Sequence, residues 1–210
     1  MGIDSTTDVE VPETPPDLIV RLGGWLFKER SWLPVPIALA LIFLPLSSSS
    51  RAVNWAGVSI VAVGEALRLW AVHHIGVVSR TRSQRLGPLV ATGPFSYVRN
   101  PLYLGNIALW LGFTLSAGLA WLAPIVLVLL AAEYHAIVRW EEELLSARIG
   151  REYLTYLAQV PRWVPTRRSP ARERRAPGSS WRDTLYSERS TLLAIGLGYV
   201  ILWIKLWAGN

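Results

Sequence analysis

The fold is decided by the stretch of residues 99–138, which reads RNPLYLGNIALWLGFTLSAGLAWLAPIVLVLLAAEYHAIV. A polar turn that ends in a proline is followed by a long, mostly apolar run, interrupted at Ala117-Gly118. A helix needs about 20 mostly apolar residues to cross the hydrocarbon core of a bilayer. The run therefore predicts two helices, Leu102–Leu119 and Ala120–Val138, joined as a tight helical hairpin.

Further apolar blocks lie outside this hairpin. The chain has 210 residues, of which 51% are hydrophobic and 11 are Trp, and its apolar residues are grouped rather than spread evenly. Three more segments approach the length of a span: Trp32–Leu46, Val53–Val72 and Thr191–Trp207. These blocks predict an all-α, polytopic membrane protein with about five transmembrane helices.

The basic residues lie mainly on one side of the predicted spans, with Arg51 on the other. Such a bias places the N-terminus and the long loops in the cytoplasm. We attribute the net charge of +6 to this topology and to attraction by anionic lipids, and we expect no nucleic-acid partner. The cytoplasmic set comprises Arg21, Lys28 and Arg30, then Arg80, Arg82, Arg85 and Arg99, then the arginines from Arg139 to Arg189.

The chain divides into four predicted regions. Residues 1–24 are predicted to form a disordered tail without a signal peptide, because residues 1–17 are acidic and Pro-rich. Residues 25–165 form the membrane-integral core, 166–190 a basic flexible linker, and 191–210 an additional transmembrane helix attached as an appendage. The sequence has no Cys and only 3 His, so we expect no metal site.

A cytoplasmic amphipathic helix is predicted beyond the fourth span, over residues 139–160. Its apolar stripe comprises Leu145, Ile149, Tyr153, Tyr156 and Val160. At about 100° per residue, Glu142 falls in the middle of that stripe, and Glu141 and Glu143 lie to either side. A carboxylate on a buried face needs a partner, so we expect a ligand to be the partner of Glu142. Gly150 predicts a bend.

Two further groups of residues, in the second predicted span, are weaker candidates for a functional role. Glu65 and Arg68 are one helical turn apart, so we expect them to pair inside the bilayer. His73 and His74 lie near the cytoplasmic end, where a histidine can accept a proton. We regard these histidines as minor candidates for chemistry.

Two motifs together carry a resemblance to a known group. The run Gly93-Pro94-Phe95-Ser96-Tyr97-Val98-Arg99-Asn100-Pro101-Leu102-Tyr103-Leu104-Gly105 resembles the first half of the signature of the isoprenylcysteine carboxyl methyltransferase and phospholipid methyltransferase families. The second half is similar at Glu141-Glu142, Leu145, Ile149-Gly150, Tyr153, Tyr156, Val160-Pro161-Arg162 and Pro165. The resemblance covers roughly residues 53–165. Asn100 stands where the pattern usually has His, and asparagine cannot take up a proton.

The resemblance implies an integral membrane methyltransferase that uses S-adenosyl-L-methionine. In those families the hairpin and the following cytoplasmic helix enclose the cofactor, and a lipid substrate enters from the bilayer. It implies catalytic roles for Arg99, Asn100 and Glu142 on the cytoplasmic side. It implies cofactor binding by Pro101, Tyr103, Gly105, Arg139, Glu141 and Glu142. Prenylcysteine, a phospholipid and an isoprenoid group remain open as the methyl acceptor.

Two other functions fit parts of the pattern. An NADPH-dependent membrane reductase of the sterol reductase type has a similar Arg-x-Pro-x-Tyr-x-Gly run, but the paired Glu141 and Glu142 and the short chain count against it. A non-catalytic membrane scaffold could be built on the same hairpin, and Asn100 is the feature that favours it.

Overall fold

The computed structural model describes residues 17–45, 50–76, 89–166 and 180–208. Within these ranges the chain is helical and contains no strand, which confirms the all-α prediction. Most of the predicted tail, residues 77–88 of the loop and residues 167–179 of the predicted linker lie outside the described residues. The helices are α1 Leu18–Glu29, α2 Val35–Phe43, α3 Arg51–Ile75, α4 Pro101–Ser116, α5 Ala123–Ile149, α6 Arg151–Gln159 and α7 Trp181–Ala208.

Three of the described helical segments are long and apolar enough to cross a membrane: Arg51–Ile75, Ala120–Ile149 and Trp181–Ala208. The other two predicted spans coincide with shorter helices, since α2 has 9 residues and α4 has 16. Helix α4 ends at Ser116 because the chain turns at Ala117-Gly118, where Gly118 adopts a φ of 72°. A count of five crossings therefore stays a prediction.

Helices α3 and α4 pack against each other through paired glycines. A Cβ atom on Gly105 would lie 2.9 Å from the Gly64 carbonyl oxygen and 2.5 Å from Arg68 Cγ. A Cβ atom on Gly112 would lie 2.7 Å from the Gly57 carbonyl oxygen. Small residues let two helices approach closely in a bilayer, where packing rather than the hydrophobic effect drives their association. This contact fixes α4, and with it the polar turn that precedes α4.

The buried Arg68 side chain links three helices. Its Nε atom lies 3.1 Å from Glu65 Oε2, which confirms the predicted pair, and its Nη2 atom lies 2.7 Å from Glu188 Oε2 in α7. Arg68 also donates a hydrogen bond to Asn106 Oδ1 in α4. A charge inside a bilayer is costly unless it is paired, so these contacts compensate one another.

Helix α7 is docked on α3 rather than loosely appended to the core. Glu188 is fully buried, and the His73 ring stacks on Trp181 with 4.2 Å between centroids. The helix begins at Trp181, upstream of the predicted start at residue 191, because the polar residues Thr184 and Glu188 are covered by α3. The boundary drawn from apolar residues alone therefore falls inside the helix.

Helix α1 begins inside the segment predicted as a tail. Asp17 caps it by accepting a hydrogen bond from the Ile19 amide at 3.5 Å. The helix packs along α5, where Gly23 leaves no room for a Cβ atom against the Ala136 carbonyl oxygen. Helix α1 thus packs on the core, and the predicted boundary between residues 24 and 25 falls inside it.

We expect a Gly112→Ala variant to be destabilised by about 1–3 kcal/mol, because the added Cβ meets rigid backbone of α3. Gly196→Ala is the matched control, since nothing lies within 4 Å of a Cβ at that position in α7. Thermal unfolding in detergent, followed by Trp fluorescence, measures both. Equal melting temperatures for the two variants would contradict close packing of α3 on α4.

Removing one partner of a buried ion pair leaves the other charge uncompensated. We therefore expect Glu188→Ala to lose about 3 kcal/mol of stability, the lower end for such a change, since Arg68 retains Glu65. Arg189→Ala, which alters an exposed residue of the same helix, should change little. The same unfolding assay, with limited proteolysis to detect release of α7, tests the docking. A Glu188→Ala protein as stable as the Arg189→Ala protein would argue against it.

Candidate functional site

Main-chain hydrogen bonds join the two sequence motifs. The Arg99 amide, in the turn before α4, donates to the Pro161 carbonyl oxygen at 2.9 Å. The Thr166 amide donates to the Tyr97 carbonyl oxygen at 3.2 Å. The segment that follows α6 therefore runs beside the turn that precedes α4. Residues that are far apart in the sequence form one surface at the end of the helices.

An ion cluster lies where these segments meet. Glu142, only 8% exposed, accepts two hydrogen bonds from Arg162, with 3.1 Å from Nε to Oε1 and 2.6 Å from Nη2 to Oε2. Arg99 Nη2 lies 3.3 Å from Glu142 Oε1. A two-pronged contact between a guanidinium and a carboxylate is both strong and directional. The three side chains carry one net positive charge.

Arg99 keeps a free donor within this cluster. Its Nη1 atom donates to the Leu157 carbonyl oxygen at 3.3 Å. Its Nε atom is buried and has no hydrogen-bond partner among the residues described. A buried donor without a partner is costly, and a ligand oxygen would remove that cost. The cluster can therefore accept an anionic group.

Asn100 connects the first motif to the second. Its side-chain Nδ2 donates to the Arg162 carbonyl oxygen at 3.1 Å and makes no capping hydrogen bond to α4. Buried Pro101 is the first residue of α4, where the amide hydrogen that proline lacks would have no partner within the helix. Asn100, which stands where the family pattern usually has His, thus holds the backbone of Arg162 in place.

A second polar pair lies beside the cluster. The Tyr103 hydroxyl donates to Glu141 Oε1 at 3.0 Å, and the Tyr103 ring stacks on Tyr134 with 4.7 Å between centroids. Glu141 is half-buried, whereas Glu143 is exposed. The acidic pair that faces the protein is therefore Glu141 and Glu142.

Other residues predicted for the site lie elsewhere. Arg139 is 39% exposed and pairs with Asp17 at 3.4 Å, on the side of α5 that α1 covers. Gly105 lies in the contact between α3 and α4. The His74 Nδ1–H group donates a hydrogen bond to the Trp70 carbonyl oxygen, with 3.0 Å between Nδ1 and the oxygen, so His74 belongs to α3 packing.

Arg162 is the principal site residue that the sequence analysis did not single out. It belongs to the second motif, but the resemblance implies no role for it. A buried carboxylate such as Glu142 requires a compensating partner, and Arg162 comes two residues after Val160, where the apolar stripe ends. That combination was the available signal.

Two tyrosines of α6, Tyr153 and Tyr156, are buried beside the site. The Tyr156 hydroxyl donates to the Phe95 carbonyl oxygen at 2.8 Å, which ties α6 to the first motif. Burial raises the pKa of Tyr153 and of Tyr156, and for Tyr153 the Glu142 carboxylate adds to this effect. Both hydroxyls therefore remain protonated hydrogen-bond donors.

The predicted bend is confirmed, because α5 ends at Gly150, which has a φ of 69°.

The structure also contains an open groove of about 600 Å³. Helices α1, α4 and α5 form its walls, and the loop after α6 contributes Trp163. The lining is apolar or aromatic except for His135, as far as the described residues show. It includes Leu22, Leu104, Ile107, Ala132, His135 and Trp163. A groove of this character accommodates a hydrocarbon chain.

A known protein family matches the part of the chain that contains the first motif and Glu142. Residues 52–152 match the family described as phospholipid methyltransferase, which confirms the family resemblance found in the sequence. Arg162 lies beyond the matched residues.

Two relatives have names related to metal resistance. One, the nickel-cobalt-cadmium resistance protein NccN of Alcaligenes xylosoxydans xylosoxydans, is 32% identical over 120 residues, which cover 57% of this chain and 52% of the relative. Another, the cobalt-zinc-cadmium resistance protein CzcN of Cupriavidus metallidurans, is 32% identical over 110 residues, covering 52% and 46%. The chain spans about half the length of these curated relatives. No solved structure matches it.

We expect Glu142→Gln to loosen the contact between the motifs, because Arg99 and Arg162 lose their shared counter-charge. Hydrogen exchange at the amides of residues 99 and 166 should accelerate, since their acceptors belong to the opposite motif. Glu143→Gln is the matched control, because Glu143 is exposed on the same helix. Unchanged protection in the Glu142 variant would show that the ion cluster does not hold the motifs together.

Proposed function

Because residues 52–152 match the phospholipid methyltransferase family, we propose that the protein is an integral membrane methyltransferase that uses S-adenosyl-L-methionine and acts on a lipidic acceptor. The observation that carries this proposal is the Arg99–Glu142–Arg162 cluster, which both sequence motifs build together. Trp163, which directly follows Arg162 of this cluster, lines an apolar groove, so we place a charged cofactor and an apolar substrate side by side.

The residues present fit the cofactor. S-adenosyl-L-methionine has a carboxylate, an ammonium group and a sulfonium centre. The net positive cluster, with the unpartnered Arg99 Nε, suits the carboxylate. The Glu141 carboxylate, held by Tyr103, suits a cationic or hydroxyl-bearing part of the same molecule. Arg162 joins Arg99 as a candidate for binding, and Arg139 is less suited because it pairs with Asp17.

When bound, S-adenosyl-L-methionine supplies an electrophilic methyl group on a positively charged sulfur. The chain then has to align donor and acceptor and to exclude water, and no side chain has to form a covalent bond. Arg99 and Arg162 orient the donor through directional hydrogen bonds, and Asn100 holds the Arg162 main chain. Asn100 cannot remove a proton, so its contribution to catalysis is one of position.

The groove between α1, α4 and α5 is our candidate for the acceptor's hydrocarbon portion. Its walls include residues of the long apolar helix α5, and it is open to the outside of the helix bundle, so a lipid could enter sideways. Prenylcysteine, a phospholipid and an isoprenoid remain the acceptor classes. We also propose five crossings, with the short α2 and α4 included, and a cytoplasmic site and N-terminus that follow the distribution of basic residues.

The experiment that tests this function is equilibrium binding of S-adenosyl-L-methionine to the detergent-solubilised protein, with NADPH as a parallel ligand. We expect saturable binding that Arg162→Ala weakens by about tenfold or more, the cost of a charge-assisted hydrogen bond. Arg151→Ala, an exposed arginine at the start of α6, should leave the affinity unchanged.

Each alternative has its own result in this assay. Binding of NADPH instead would assign the protein to the reductase class. Binding of neither ligand to folded protein would favour the non-catalytic scaffold. Equal affinities in the Arg162→Ala and wild-type proteins would remove the ion cluster from the cofactor site, whichever ligand binds.

A further inference from the structure

His135 is a polar residue in an otherwise apolar groove. It is half-buried in α5 and lines the groove together with Ile107 and Trp163. Its imidazole has no hydrogen bond or ion pair with any residue in the described ranges. A polar group at membrane depth is costly unless it finds a partner. An aliphatic side chain would pack in this position at no such cost.

The other two histidines differ from His135 in this respect. His73 stacks on Trp181 in α7, and His74 has the Trp70 carbonyl oxygen at 3.0 Å. Their positions are therefore explained by packing and by local hydrogen bonding. His135 has no such explanation among the residues that the structure describes, so we look for its partner in a molecule that occupies the groove.

The position of His135 relates it to the ion cluster. Glu142 follows seven residues later on α5, which places the two residues on the same helix face, about 10 Å apart along the axis. Trp163 lines the groove and directly follows Arg162 of the cluster. Leu104 lines it and directly follows Tyr103. Two residues that line the groove with His135 are thus chain neighbours of polar residues of the site.

We propose that His135 forms a hydrogen bond with the polar head of the lipidic acceptor while the acceptor's apolar chain lies in the groove. This proposal rests on the proposed function, since it concerns the acceptor of the same reaction. An imidazole has one donor and one acceptor nitrogen, so it can serve a carboxylate, a phosphate oxygen or an amine. His135 is accordingly a specificity-determining residue that sets how deep the acceptor lies.

The chain offers a direct spectroscopic test, because it has only 3 His. Selective ¹⁵N labelling of histidine gives one set of imidazole signals per residue, and His73→Asn, His74→Asn and His135→Asn assign them. Two probe lipids are titrated separately in nonionic detergent: a short-chain phosphatidylethanolamine and N-acetyl-S-farnesylcysteine. We expect one of them to shift the His135 signals saturably and to leave those of His73 and His74 in place.

A functional readout accompanies the spectra. For whichever probe is methylated, His135→Phe should raise the KM for that lipid by about tenfold, the value of one lost hydrogen bond. The affinity for S-adenosyl-L-methionine should stay the same in this variant. His73→Asn, which lies outside the groove, should leave the KM for the lipid unchanged.

The outcomes separate this proposal from the function on which it rests. If neither lipid shifts the His135 signals while S-adenosyl-L-methionine binds, the acceptor does not contact His135 and the inference is wrong. A lipid-induced shift without binding of S-adenosyl-L-methionine would support the groove contact and overturn the proposed methyltransferase. A shift of all three histidines alike would indicate a detergent effect and count against the contact.

Discussion

A carboxylate buried on α5 governs the arrangement of the site. Glu142 lies on the apolar face of its helix, and its charge must be compensated there because water cannot reach it freely. Arg99 comes from the turn before α4, and Arg162 from the segment after α6. Neither arginine is near Glu142 unless both segments fold over the end of α5. Compensation of one charge thus determines where two separate motifs meet.

The helices that carry these segments depend on contacts suited to a bilayer. Lipid tails are as apolar as leucine, so helices associate through close packing and paired polar groups. The glycines Gly57, Gly64, Gly105 and Gly112 bring α3 and α4 together, and the Arg68 side chain then reaches Asn106 of α4 and Glu188 of α7. The distal helix α7 is therefore tied to the helix pair that positions Arg99.

Periodicity and charge in the sequence predict the helical fold, the burial of Glu142, the bend at Gly150 and the pair of Glu65 with Arg68. These features are local, because each depends on residues within a few helical turns. The partners that come from distant segments could not be predicted in this way. Glu188 lies in a stretch rich in polar residues, where no pattern distinguishes a buried group from a solvated one. Arg162 lies among many arginines, and its place two residues after the apolar stripe is only an indirect signal. Gly105 is ambiguous in a different way. A glycine can be required by a ligand that approaches the backbone or by close packing of two helices, and the sequence does not distinguish the two cases.

We propose that the Arg99–Glu142–Arg162 cluster binds the methyl donor. A crystal structure of the protein with S-adenosylhomocysteine, the demethylated product of that donor, tests it most directly. We predict that the carboxylate of the bound molecule lies within hydrogen-bond distance of Arg99 or Arg162, with its adenosine portion near Glu141 and Tyr103. Density for the molecule away from both arginines, for example beside Arg68 and α7, would contradict the account.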